Sequence, residues 1–427
     1  MTGGAHPASA RGPADWQQLL ATQRRRVVSH LARALGLSQL ALAEDAVQTA
    51  TLRALERWPA QGVPANPAAW LYRVAYRAAI DELRHSGLSD AWPDDDDGDA
   101  IETGPSALAP QGRFAGELDD DELALLFAAC HPALPAASQV AVALRVLAGL
   151  DLATIAAGLL CSEAALAQRL ARARASLSPE ALHLPAGHEL PSRREAVLTT
   201  LALAFHAGAR ARARRVGEAA SLCWEAIRLV RAMTAHPVAA HPDADALAAT
   251  LLLHGARLTG QLDEAGDIVL LPGQPRDRWD AGMVRLGLAH LQAAQRAPRL
   301  SRWHLQAGIA AEHATAVDYA HTDWAAIVRH YEMLLALDAS AAPRLGHAIA
   351  LAEAGEPAQA LQRLRVLQGS VPAALAAHRL AAEARAHERL GDLDTAVRLL
   401  RQAVTAAPHP AEARALAQRA QDLQSTL

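Results

Sequence analysis

Wherever apolar residues gather in this 427-residue chain, they return at steps of three and four, the spacing of one face of an α-helix. Between Leu42 and Trp58, the residues Val47, Ala50, Ala54, Leu55 and Trp58 share one such face, while Asp45, Gln48, Leu52 and Glu56 lie opposite. Asp45 and Gln48 form a polar pair one turn apart on that outer side. Trp16 to His30 shows the same helical spacing. Aromatic residues are only 4% of the chain and its apolar content is largely Ala and Leu, both strong helix formers, so an all-α fold is predicted. No segment offers about 18 consecutive apolar residues, and Met1 to Pro13 lacks the apolar stretch of a secretory signal, so a membrane span is not expected. Three cysteines (Cys130, Cys161, Cys223) cannot build a disulfide framework, and no pair has zinc-ligand spacing. The chain reads as soluble and cytoplasmic.

The net charge of −4 conceals a segregated pattern. Every basic side chain is Arg, and residues 1–88 carry +4 while residues 89–122 carry −11. Residues 123–179 return to +2, and residues 180–427 are nearly neutral at +1. Carboxylates as dense as Asp94 to Asp97 repel one another and hold a backbone extended, so 89–122 is expected to be an acidic linker. A basic, acidic, basic, neutral order suits nucleic-acid contacts at one end and protein contacts at the other.

Asn66-Pro67 marks a helix start, because Asn caps free N–H groups and Pro at the first helical position gives up no hydrogen bond. The helix that follows carries Leu71, Val74, Ala75 and Ala78 as its inner stripe. Arg73, Arg77 and Arg84 fall in a narrow wedge on the other side, beside Tyr72 and Tyr76. Guanidinium groups neutralise phosphates and aromatic faces accept unstacked bases, although a solvated helix face has the same pattern.

Three short helices are expected over 138–177: Ser138 to Leu147, Leu152 to Leu160, and Glu163 to Leu177 with Ser162 as N-cap. Leu166, Leu170, Ala173 and Leu177 face inward on the last of these. Its outer side holds Ala164, Gln168, Ala171, Arg172 and Ala175, with Arg169 and Arg174 on the flanks. That is the layout of a helix-turn-helix whose last helix enters a major groove. Gln168 suits adenine, Arg172 guanine or phosphate, and the flanking arginines phosphate. An ordinary three-helix packing unit with exposed arginines remains the alternative.

Beyond Pro191 the chain is helix-rich. Gly355 to Ala360 and Gly391 to Ala396 share a Gly-to-Ala phrase 36 residues apart, close to the tetratricopeptide period of about 34. Leu390 to Ala407 is expected to be one helix of such a pair, with Gly217-Glu218-Ala219 and Gly260 to Ala265 as diverged repeats. Asp267 to Gly273 looks like a short extended insertion, followed by Asp277-Arg278-Trp279-Asp280. Stacked helix pairs give a concave surface that holds peptides or proteins. The 19 histidines, among them His206, His236, His241, His254, His304 and His313, have no convergent ligand spacing and are expected to be surface or packed. No phosphate loop, nucleophile elbow or acid/base pair is legible, so neither catalysis nor a cofactor nor a metal is expected.

Taken together the motifs resemble a known family. Leu42 to Gln48 followed by Arg53 to Pro59 resembles the core-polymerase-binding helix of bacterial sigma factors, and Asn66 to Leu71 leading to Ala79 to Arg84 resembles their promoter-melting helix. Gly149-Leu150 through Ile155-Ala156, then Gln168 to Leu170 and Arg172 to Arg174, is similar to the sigma domain that reads the upstream element. Asp121-Glu122-Leu123 through Cys130 to Leu134, with the long C-terminal part, resembles the extracytoplasmic-function (ECF) subgroup that carries a tetratricopeptide-like extension. Thr49 and Thr51 stand where many members carry Glu and Phe.

The resemblance implies four parts: sigma domain 2 (1–88), acidic linker (89–122), sigma domain 4 (123–180) and a repeat domain (190–427). Asp45, Gln48, Leu52 and Glu56 would bind RNA polymerase core. Asn66, Arg73, Tyr76, Arg77 and Arg84 would contact the minus-ten element, with the Gly62–Asn66 loop near flipped bases. Ser162, Ala164, Gln168, Arg169, Arg172 and Arg174 would serve the minus-thirty-five element. The linker would pass near the path of nascent RNA and imitate its charge, or act as a plain spacer. An unidentified protein is the expected partner of the repeats. A regulator using the helix-turn-helix alone, with the repeats as a sensor, is the alternative function.

Overall fold

The computed structural model describes residues 20–85, 123–176, 190–213 and 220–426, save 21–22, 25–26, 33–34, 36–38, 65, 124, 148–151, 160, 238 and 370. The acidic strip, Trp16, Gly149 to Asp151, Leu177 and Gly217 to Ala219 therefore lie outside the described residues. Among those described the fold is all-α. The one extended pairing is an isolated antiparallel bridge from Leu262 to Ile268, of which only Ile268 falls in the predicted insertion. No helix among the described residues is long and apolar enough to cross a membrane. The chain divides into two compact units, one of residues 1–156 and 160–200, the other of 157–159 and 201–427.

Unit 1 is built on two long helices, α1 (Leu40–Gln61) and α2 (Pro67–His85). Ala43, Ala46, Val47, Ala50, Ala54 and Trp58 of α1 are buried, and α2 meets them with Ala68, Trp70, Leu71, Ala75 and Ala79. Alanines at these positions let the two backbones approach closely. Trp58 and Trp70 meet edge-to-face at 5.5 Å and close one end of the seam. The inner face differs in detail from the sequence expectation. Leu55 is 44% exposed, and α2 buries Ile80 and Leu83 more deeply than Val74 and Ala78. The periodicity places Leu55 at the edge of the stripe, where a small rotation of the helix carries it into solvent.

Three shorter helices follow: α3 (Ala136–Leu147), α4 (Leu152–Leu159) and α5 (Glu163–Ser176). Val140, Leu144, Ile155, Leu166, Leu170 and Ala173 are buried, and α3 packs on α5. Helix α6 (Leu190–Ala213) crosses the boundary between units at Thr200. Its first turns belong to unit 1. Arg193 donates to the Phe127 carbonyl at 3.2 Å, and the Cys130 thiol donates to Thr200 at 3.4 Å.

Unit 2 centres on α8 (Pro242–Ala256), buried almost all round, as expected of a helix apolar on every face. Around it pack α7 (Ala220–Ala235), α9 (Ala281–Ala294) and α10 (Arg302–Thr315). Six further helices follow, each packed on the next: α11 (Trp324–Leu337), α12 (Ala341–Glu353), α13 (Pro357–Val366), α14 (Ala376–Arg389), α15 (Leu393–Ala406) and α16 (Pro410–Gln424). Gly355 and Gly391, at φ +94° and +80°, sit just past α12 and α14, in the left-handed conformation that ends a helix at low cost only for Gly. Leu390 to Asp392 is thus a turn rather than the start of a helix. Helix α15 begins at Leu393 because Asp392 accepts from the Thr395 N–H at 3.2 Å.

Helix α12 also packs on α14, and a buried ion cluster joins them. The Glu353 side chain is 1% exposed and receives both Arg385 and Arg389, with Arg385 Nε at 2.6 Å. Burial by itself would raise the Glu353 carboxyl, but the two guanidiniums outweigh it and hold the carboxyl below its usual 4.5. A depressed folded pKa gives stability that is complete above the unfolded value and fades as pH falls through the folded one. Glu353→Gln should therefore lower unfolding stability by about 3 kcal/mol at pH 7, read by urea denaturation. The difference from the native chain should narrow as pH drops below about 4.

Candidate nucleic-acid interface

Helix α1 presents Asp45, Gln48, Leu52 and Glu56 together on its exposed side, with Leu52 54% exposed. An exposed Leu flanked by carboxylates and an amide is a surface with an apolar centre and a polar rim. The two threonines on this helix turn inward on their own backbone. Thr49 donates to the Asp45 carbonyl at 3.0 Å and Thr51 to the Val47 carbonyl at 2.7 Å, so neither adds a side chain to that surface. Beside Asp45, Glu44 takes a different role, pairing with Arg145 of α3 at 2.6 Å within unit 1.

Helix α2 starts where Asn66 and Pro67 predict. Asn66 Oδ1 accepts from the Ala69 N–H at 3.1 Å, and the Asn66 carbonyl takes the Trp70 N–H. Arg73, Arg77 and Arg84 are all exposed. Tyr72 and Tyr76 are half-buried and stacked, with ring centroids 5.9 Å apart, and His30 meets Tyr72 edge-on at 4.5 Å. Burial, and then the neighbouring Tyr76, push the Tyr72 hydroxyl up to about 12, so the ring is neutral wherever the chain functions. The helix thus offers cationic side chains beside aromatic rings held in place by their neighbours. This arrangement suits a phosphate backbone with bases displaced from their stack.

Helix α5 follows Cys161 and Ser162, and the Ser162 Oγ accepts from the Ala165 N–H at 3.2 Å. Ala164, Gln168, Ala171, Arg172 and Ala175 are exposed, and Arg169 is half-buried. The Arg174 side chain lies outside the described residues. Arg172 reaches back to the Gln168 amide oxygen at 3.4 Å, a weak bond that a base edge can displace. The alanines leave the middle of this face low, with the polar groups at its margins.

Elsewhere, one Ser, His and Asp arrangement is structural. The Ser301 hydroxyl donates to Asp243 at 2.6 Å, His304 Nδ1 accepts the Ser301 N–H, and Nε2 faces the Ala294 carbonyl at 3.1 Å. Nδ1 is committed to capping α10 and Nε2 to the last carbonyl of α9, which leaves no nucleophile and base pair. No group of three His, Cys, Asp or Glu among the described residues could hold a metal ion.

Asn66→Ala should cost about 1 kcal/mol of stability through the lost cap, whereas Asn66→Asp should retain it. Thermal unfolding of the two variants separates capping from any contact Asn66 makes with a ligand.

Residues 20–88 match Sigma-70 region 2, the segment that holds α1 and α2. Residues 193–295 match a family of unknown function (DUF6596). An uncharacterized protein of Rhizobium meliloti (strain 1021) is 37% identical over 330 residues, which cover 77% of this chain and 78% of that protein. No solved structure matches. The chain belongs to one family with that rhizobial protein, and within residues 20–88 it carries the Sigma-70 region 2 that supports a role as an RNA polymerase sigma factor in transcription initiation.

Proposed function

We infer that the chain is a sigma factor of the ECF type, carrying a tetratricopeptide-like extension, that directs core polymerase to particular promoters and assists their melting. The observation that carries this reading is the division of labour on two paired helices inside Sigma-70 region 2. One exposes Asp45, Gln48, Leu52 and Glu56, and the other exposes Arg73, Arg77 and Arg84 beside Tyr72 and Tyr76. A regulator that only binds duplex DNA has no use for the first surface.

In this reading the α1 surface docks on core polymerase, with Leu52 at the centre of the contact. Asn66, Arg73, Tyr76, Arg77 and Arg84 receive the minus-ten element, where arginines hold phosphates and Tyr76 supports an unstacked base. Helices α4 and α5 act as a helix-turn-helix, with Ser162, Ala164, Gln168, Arg169, Arg172 and Arg174 toward the minus-thirty-five element. Support for this comes from the Ser162 cap and the outward alanines. The repeats hold a regulatory protein, a role supported by the Gly355 and Gly391 turns and the packing of α12 on α14.

Arg73→Ala combined with Arg77→Ala should leave folding within about 0.5 kcal/mol, because both side chains are exposed. The double variant should co-sediment with core polymerase as the native chain does, yet show much weaker permanganate reactivity of promoter thymines. Undiminished reactivity would remove α2 from promoter opening. Gln168→Ala should cost about 1–3 kcal/mol at one base position in a binding-site selection, and a uniform loss over all sequences would mean a backbone contact instead.

A further inference from the structure

Unit 2 contains two arginines with no carboxylate paired to them among the described residues. Arg257 closes the C-terminal end of α8, and Arg276 opens a 3-10 turn (Arg276–Arg278) that runs into Trp279. Both guanidiniums pack on the same indole, with their carbons 4.0 Å (Arg276) and 5.6 Å (Arg257) from its centroid. Arg276 Nη1 donates to the His313 carbonyl at 2.8 Å. Its Nη2, Arg257 Nε, Trp279 Nε1 and His313 Nδ1 are all shut off from solvent with no hydrogen-bond partner.

No carboxylate among the described residues pairs with either arginine. Asp280 is occupied as the cap of α9, and the exposed Asp318, the acid whose charge Arg276 feels, accepts from His321. Cations packed this closely disturb their neighbours. Burial, and then Arg276, bring Arg257 down to about 10; burial followed by Arg257 and Arg276 brings His313 down to about 4. His313 is therefore neutral near pH 7, and the positive charge stays on the arginines.

Only a glycine fits against this edge of the indole. Gly260 lies against Trp279, and a Cβ at that position would stand 3.3 Å from Nε1 and from Cδ1. Both arginines are half-buried; a partly desolvated cation without a counter-ion is costly, and three buried N–H donors without acceptors add to that cost. Each unmet group here other than the His313 ring nitrogen is a donor, so the missing component is an acceptor with negative charge.

We propose that unit 2 binds a small-molecule oxyanion, a phosphate or carboxylate group, at the Trp279 edge between Arg257 and Arg276. Guanidiniums match both groups through paired N–H bonds, and the Trp279 Nε1–H supplies a third, uncharged donor. Occupation would join the end of α8, the 271–279 segment and α10, so the bound group would stiffen the C-terminal unit. The site stands independently of the transcription reading, since neither its residues nor its assay involve DNA or polymerase.

The test is thermal unfolding and calorimetric titration of the full chain with inorganic phosphate and with succinate, each against chloride at matched ionic strength. At least one of the two should raise the melting temperature, and the stronger identifies the group. Arg257→Met and Arg276→Met should weaken that binding at least about tenfold. In chloride they should melt no lower than the native chain, because a half-buried cation without a counter-ion has been replaced by an apolar side chain. Trp279→Phe keeps the ring and deletes only the Nε1–H, so it should fold and still bind more weakly. Identical melting of the native chain in all three salts, or a response that the variants retain in full, would overturn the proposal.

Discussion

The seam between α1 and α2 governs what unit 1 can offer to a partner. Small alanines on both sides bring the helices together, and Trp58 against Trp70 fixes their rotation. A helix has only one circumference, so burying one stripe commits the opposite stripe to solvent. Turning α1 by a third of a revolution would withdraw Gln48 or Leu52 and expose alanine. The surfaces assigned to polymerase and to DNA are consequences of a packing choice in which neither surface takes part.

Much of this was legible because it depends on local rules. Asn66-Pro67 and Ser162 announce helix starts, and in each case the side-chain oxygen accepts an N–H three residues on. The arginine wedge of α2 and the low, alanine-rich face of α5 follow from the 3.6-residue period once the inner face is known. Errors occurred at margins. Leu55 sits at the edge of the apolar stripe, where periodicity alone cannot decide exposure, and the helical spacing that runs back to Leu390 is interrupted by Gly391 and Asp392, which delay the helix to Leu393.

The arginine site in unit 2 had no such local signal. Arg257, Arg276 and His313 lie far apart in sequence, and the surrounding block is almost electrically neutral, so composition conceals two unpaired cations. Only tertiary packing brings them onto one indole. Asp277-Arg278-Trp279-Asp280 stood out in the sequence, but the significant neighbour is Arg276, one position earlier. The ion cluster of Glu353 shows the contrasting outcome, in which the chain supplies its own counter-ion and uses it to clamp α12 to α14.

Arginine thus appears in two settings. On α2 the guanidiniums are exposed and suit a long polyanion, whereas in unit 2 they are half-buried on one indole and suit a single small one. The account as a whole stands on the first of these. Its most direct test is run-off transcription with purified core polymerase on fragments of genomic DNA, with and without the chain. Transcripts that start at discrete sites only when the chain is present are the predicted result. Sequence-selective DNA binding by the chain alone, with no chain-dependent transcript, would contradict it.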